Sequence, residues 1–164
     1  MEDQTIAMPV TNEDFLFSKP PQNSKQNPRS YWKVASKGLT SIAFCPDGVH
    51  FAVTSLDGTL KVLNYEKEML LDVYKSYFAA LQCCAWSPDG VYIAAGGQDD
   101  LISIFGFRGR LMSRLQGHNS WVNSLAFDET ECKDKIYRLV SGGEDNRICF
   151  WDFSIASLGR RKVD

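Results

Sequence analysis

What this chain of 164 residues lacks removes several classes at once. Its five cysteines, Cys45, Cys83, Cys84, Cys132 and Cys149, form no CxxC pair and no metal-ligand spacing, and an odd number does not suit a disulfide framework. Reduced thiols fit a cytoplasmic or nuclear protein. No apolar run nears the ~20 residues that cross a bilayer, and the opening MEDQTIAMPV has neither the basic n-region nor the apolar core of a secretory signal. A membrane is therefore not an expected partner. Net charge is also small: 20 acidic against 18 basic side chains leave −2, so the chain as a whole does not attract phosphate backbones. Arg108, Arg110 and Arg114, with Arg160, Arg161 and Lys162, read as a solvated surface rather than a nucleic-acid site.

What is present is apolar and repetitive. With 44% hydrophobic and 12% aromatic residues the chain can bury a core of about one domain. Residues 1–28, including SKPPQNSKQNP, hold prolines and amides without a sustained apolar period, so they read as a disordered leader. Phe15 and Phe17 are either a small docking motif or part of a solvated tail, and composition favours the tail.

From residue 38 the chain repeats. LTSIAFCPDGVHFAVTSLDGTLKVLNY from Leu39 aligns without a gap on LQCCAWSPDGVYIAAGGQDDLISIFGF from Leu81, an offset of 81 − 39 = 42. Pro46, Asp47 and Gly48 fall on Pro88, Asp89 and Gly90, Asp57 on Asp99, and Leu63 on Phe105. A third copy starts at Val122 and rejoins at Asp145 after a slightly longer loop at 129–135. Within each copy, alternation such as Ser41-Ile42-Ala43-Phe44 has the period of a strand. Pro-Asp-Gly and Asp57-Gly58 supply tight turns. Residues 68–73 and 110–115 read as fourth strands. Four antiparallel strands in about 42 residues is the unit of a β-propeller blade. The fold expected is all-β: about three four-stranded blades at 38–75, 76–116 and 117–153. An outer strand of a preceding or closing blade is expected at 29–37, and a tail or short last strand at 154–164. Cys83 and Cys84 are neighbours on one strand, so they must face opposite ways, and read as small core fillers.

The third copy, with Gly117-His118 before its first strand and Trp151-Asp152 closing its third, resembles the WD repeat of propeller proteins. That resemblance implies a buried network of His118, Ser141, Asp145 and Trp151 tying three strands together. The same serine, histidine and aspartate invite a catalytic reading. It fails on local pattern, because Ser141 lies mid-strand in VSGG rather than on the strained elbow of GxSxG. No enzyme activity, metal, cofactor or small-molecule substrate is expected. Counting back four from each turn aspartate gives Val53 and Ala95 in place of Ser141, while Leu63 and Phe105 replace the tryptophan. Asp57 and Asp99 are therefore read as turn residues accepting backbone N–H groups.

KSYFAALQCCAWSPDG, GGQDDLISIF, GHNSWVNSLAF and YRLVSGGEDNRICFWD together resemble the WD-repeat protein 20 family, which includes the fungal catabolite-repression protein CreC and the dystrophia-myotonica WD-repeat protein. The resemblance covers roughly residues 27–153. It implies a non-catalytic adaptor that binds and activates a ubiquitin-specific protease, often beside a second WD-repeat protein, with aromatic contacts at Phe78 and Trp121. Position alone leaves two roles open for these side chains: packing between blades, or an interface anchor on a rigid loop. Three blades are fewer than the typical 4 to 8 or so and leave both terminal faces to water. The chain therefore reads as a fragment of a longer protein or a truncated product, in preference to an unusual self-associating piece.

Overall fold

The structure, a computed structural model, describes residues 15–19, 30–132 and 134–154, all of it strand, turn or loop. The expected tail at 154–164 lies outside the described residues except for Ser154. After a short pair, β1 (Leu16–Ser18) and β2 (Tyr31–Lys33), the chain lays down three antiparallel sheets in sequence order. Blade 1 is β3 (Leu39–Phe44), β4 (His50–Ser55), β5 (Thr59–Asn64) and β6 (Met69–Lys75). Blade 2 is β7 (Leu81–Trp86), β8 (Tyr92–Gly97), β9 (Leu101–Gly106) and β10 (Leu111–Gln116). Blade 3 has three strands among the described residues, β11 (Val122–Phe127), β12 (Ile136–Gly143) and β13 (Ile148–Ser154). The fourth strand expected of this blade is not among the described residues.

Local chemistry sets the turns. Gly48, Gly58 and Gly90 take φ of 70°, 79° and 69°, the left-handed region that glycine enters without a Cβ clash. Asp100 at φ 62° and Asn146 at 62° stand in the left-handed turn position that Gly58 fills in blade 1, the two residue types that tolerate it best after glycine. β6 begins a residue later than its sequence signal, because Glu68, at φ 52°, belongs to the preceding turn, and β10 begins at Leu111.

Two cores hold the blades together, one in each gap. Leu60, Val62, Ala52 and Tyr74 of blade 1 pack on Trp86, Ile93 and Phe105 of blade 2. On the other side of blade 2, Ile102, Ile104 and Tyr92 meet Val122, Leu139 and Phe153 of blade 3. Leu60, Val62, Ile102 and Ile104 are all fully buried, each contributing about 1.5–3 kcal/mol relative to exposure. Polar ties cross the same gaps. Trp86 Nε1 donates to the Ala43 carbonyl at 3.0 Å, and Tyr137 Oη donates to Asp89 Oδ2 at 2.6 Å. The approach is close: a Cβ on Gly96 would stand 2.7 Å from Val122 Cγ1. Cys84 joins the first core and Cys83 the second, so these adjacent thiols face opposite blades.

The leader needs a correction. Leu16–Ser18 pairs antiparallel with Tyr31–Lys33, with Phe17 opposite Trp32. Phe15 and Phe17 both set ring edges on Trp32, each at a centroid distance of 5.7 Å. Trp32 in turn packs on Phe51 and Tyr65 of blade 1. The indole offers this segment an apolar surface that its own composition does not reveal. The rest of the expected leader, 1–14 and 20–28, lies outside the described residues.

Candidate functional site

The turn between second and third strands is built alike in the three blades. Asp57 Oδ1 accepts from the Thr59 backbone N–H at 3.0 Å, Asp99 Oδ1 from Leu101 at 3.4 Å, and Asp145 Oδ1 from Arg147 at 3.2 Å. Each aspartate therefore closes its own turn two residues on. Two reach farther. Asp57 Oδ2 accepts from Ser36 N and Oγ, and Asp145 Oδ2 accepts from Asn119 N at 3.0 Å. Ser36 and Asn119 both lie three residues before a first strand, so blade 1 retains part of the arrangement that blade 3 completes.

In blade 3 the structure brings His118, Ser141, Asp145 and Trp151 together. His118 Nδ1 lies 3.0 Å from both Asp145 oxygens. His118 Nε2 is 2.8 Å from Ser141 Oγ, and Trp151 Nε1 donates to the same Oγ at 2.8 Å. A carboxylate only accepts, so in the neutral ring the proton sits on Nδ1 and Nε2 accepts from the serine hydroxyl. Protons then run one way, from indole to hydroxyl to imidazole to carboxylate. The Asn119 backbone N–H holds the Asp145 carboxyl at about 2, with burial opposing and His118 adding to the effect.

Serine, imidazole and carboxylate stand here in the order of a hydrolase triad, and what differs is access to the serine. A serine nucleophile needs an open approach to its oxygen. Ser141 is 1% exposed, and its Oγ is held between indole and imidazole. Glycines make room for the bonds: a Cβ on Gly143 would stand 2.7 Å from His118 Nδ1, and one on Gly117 would stand 2.7 Å from Trp151. The arrangement ties β12 and β13 to the segment that leads into β11.

Phe78 and Trp121 occupy the two loops that carry one blade's fourth strand into the next blade's first. Phe78 is 81% exposed and Trp121 40%, so neither ring is enclosed between blades. The loops are fixed from below. Gln98 N donates to the Ala80 carbonyl and Glu144 N to that of Trp121, both at 2.9 Å. Reading by motif missed their neighbour Tyr77. Its ring meets Phe78 edge-on at 4.0 Å, and the Arg114 guanidinium lies 4.5 Å above it. A signal was available: Tyr77 stands four residues before β7, as His118 stands four before β11. The carboxylate of the blade 2 turn, Asp99, accepts from Leu101 N, and the Tyr77 ring, 49% exposed, lies beside Phe78.

Antiparallel blades, two of four strands and one with three strands among the described residues, stacked in chain order with their first strands β3, β7 and β11 in contact in turn, define a repeat scaffold of the β-propeller class. The chain belongs to the WD-repeat family, whose model, WD domain, G-beta repeat, matches residues 28–64, 70–105 and 109–152. Among curated relatives it is 45% identical over 139 residues to UBP9-binding protein bun62 of Schizosaccharomyces pombe. That match covers 84% of this chain and 26% of the relative, so the chain spans about a quarter of that protein's length. Among solved structures it resembles U3-55K with a TM-score of 0.66 at 22% identity, over 74% of this chain and 37% of the other, a likeness of fold.

Proposed function

We propose that this chain is a non-catalytic adaptor that binds and regulates a ubiquitin-specific protease, within the WD-repeat protein 20 branch of the family and beside a second WD-repeat protein. The reading rests on one observation above others. Phe78, with Tyr77 against it, and Trp121 project from adjacent inter-blade loops braced by backbone hydrogen bonds. Aromatic rings held open on a rigid base lose little side-chain entropy on binding, the usual property of interface hot spots. The name of the fission-yeast relative, a UBP9-binding protein, supports the same kind of partner. Buried, hydrogen-bonded Ser141 supports a scaffold rather than a hydrolase, and the five free thiols suit the cytoplasm or nucleus.

The test is a ubiquitin-release assay with the partner protease, together with measured affinity. Phe78→Ala and Trp121→Ala should each weaken binding by about 2 kcal/mol or more, roughly 30-fold in Kd, with the unfolding midpoint unchanged. Unchanged affinity in both variants refutes the interface. Full affinity without faster ubiquitin release refutes regulation while leaving binding intact.

A further inference from the structure

Phe78 stands open to solvent, yet the loop beneath it is closely fitted. Ser76 N donates to the Gly58 carbonyl at 2.8 Å, and Ser76 Oγ donates to the Ala79 carbonyl within the loop. A Cβ on Gly58 would stand 3.0 Å from both Ala79 O and Ser76 Oγ. From the blade 2 side, Gln98 N donates to the Ala80 carbonyl at 2.9 Å. These bonds fix the loop's backbone at both ends. The direction of the rings at its tip, Tyr77 and Phe78, is left to side-chain contacts.

The loop that leads into blade 3 is ordered by a carboxylate: Asp145 accepts from His118, four residues before β11, and from Asn119 N. Four residues before β7 stands Tyr77, whose ring offers a π face in place of a ring N–H. The group on that face is the Arg114 guanidinium, 4.5 Å from the centroid. Arg114 lies on β10, the outermost strand of blade 2, opposite Ser103. Its neighbour Leu115 packs on the core toward blade 3, and successive residues of a strand point to opposite faces. The guanidinium therefore leaves blade 2 on the blade 1 side, where the loop arrives. Arg114 is partly covered, which strengthens a cation on an aromatic face relative to one in open water. Tyr77 in turn meets Phe78 edge-on at 4.0 Å, so a contact on the first ring sets the direction of the second.

We propose that Arg114 is a positioning residue for the partner-binding surface: from the outer strand of blade 2 it fixes the Tyr77 ring, and through Tyr77 it holds Phe78 in the orientation that a partner meets. The inference deepens the protease reading and rests on it. Arg114 acts through the rings and not by touching the partner itself. Rings already held in place cost less to bind than rings that must be ordered on contact, so the guanidinium contributes to affinity from outside the interface.

The experiment measures Kd for the protease of the ubiquitin-release assay, together with the fluorine NMR spectrum of the free chain carrying para-fluorophenylalanine in place of Phe78. Arg114→Met keeps an unbranched stem and removes the guanidinium. It should weaken binding about 5-fold and move the fluorine resonance toward that of the free amino acid, with unchanged circular dichroism. Tyr77→Phe keeps the ring face and should change neither affinity nor resonance. Tyr77→Leu removes the ring and should weaken binding at least as much as Arg114→Met does, and adding Arg114→Met in that background should cost nothing further. Wild-type affinity in Arg114→Met overturns the proposal. So does a full Arg114→Met loss on top of Tyr77→Leu, which would put the guanidinium in direct contact with the protease. Weakened binding in Tyr77→Phe also overturns it, since the hydroxyl and not the ring face would then be what matters. If Phe78→Ala leaves the affinity unchanged, the protease reading fails instead; a resonance that Arg114→Met moves then still upholds the ordering of the loop by Arg114, and one that it leaves in place overturns it.

Discussion

Replacing Ser141 by alanine removes one oxygen from blade 3, and the geometry specifies what that oxygen does. It accepts from the Trp151 indole and donates to His118 Nε2, both at 2.8 Å. Without it, one donor and one acceptor lose their partners beneath the blade surface. An orphaned buried polar group costs about 1–3 kcal/mol. The indole is only partly covered, which places the sum at about 2–4 kcal/mol. The assay is urea unfolding followed by circular dichroism, where the midpoint should fall while the slope stays constant. A thermodynamic cycle sharpens it. In Ser141→Ala/Trp151→Phe the indole donor is gone as well, so the double variant should lose less than the two singles combined, by about 1 kcal/mol. A loss below about 0.5 kcal/mol for Ser141→Ala, or strict additivity in the cycle, would show that the network does not bind the strands as argued. The sister blades show that the position itself tolerates apolar groups, with Val53 and Ala95 buried there; the cost arises from the partners.

The Asp145 carboxyl gives a pH signature. Its value falls from the ordinary 3.8 to about 2 in the folded chain, so its contribution is complete above about pH 4 and is lost as pH falls through about 2. Urea midpoints measured from about pH 5 downward should drop over that window, and Asp145→Asn should flatten the drop; an identical profile in the variant would count against the assignment. Two neighbouring glycines should behave oppositely. At Gly143 an added Cβ meets His118 and Asp145 at 2.7 and 2.9 Å, whereas at Gly142 nothing lies within 4 Å. Thermal melts should show Gly143→Ala destabilised by about 1–3 kcal/mol and Gly142→Ala changed by less than about 0.5 kcal/mol; equal shifts would contradict the packing.

The repeat made the blades legible. An ungapped offset of 42 with Pro-Asp-Gly and aspartate turns at matching places leaves few alternatives to stacked antiparallel sheets, and alternation assigned Cys83 and Cys84 to opposite faces before any contact was known. The positions of His118, Ser141, Asp145 and Trp151 came from resemblance to a repeat, since nothing in spacing alone brings a residue at 118 to one at 145. What sequence left out was tertiary. Phe15 and Phe17 looked solvated because their anchor, Trp32, depends on Phe51 and Tyr65 for its own placement. Tyr77 was passed over because its counterpart in blade 3 is a histidine, and Tyr77 is exposed where His118 is buried. The bond from Tyr137, on β12, to Asp89, in the Pro-Asp-Gly turn of blade 2, joins residues from different blades, and the repeat does not say which side chains meet across a gap.

Cys83 and Cys84 carry a consequence of their own. One thiol is sealed in the gap toward blade 3 and the other in the gap toward blade 1, and burial pushes them up to about 12 and about 11. In a stack where each layer touches only its neighbours, separation proceeds seam by seam. A single dipeptide therefore acts as a two-channel gauge, since labelling at one sulfur before the other tells which seam parts first.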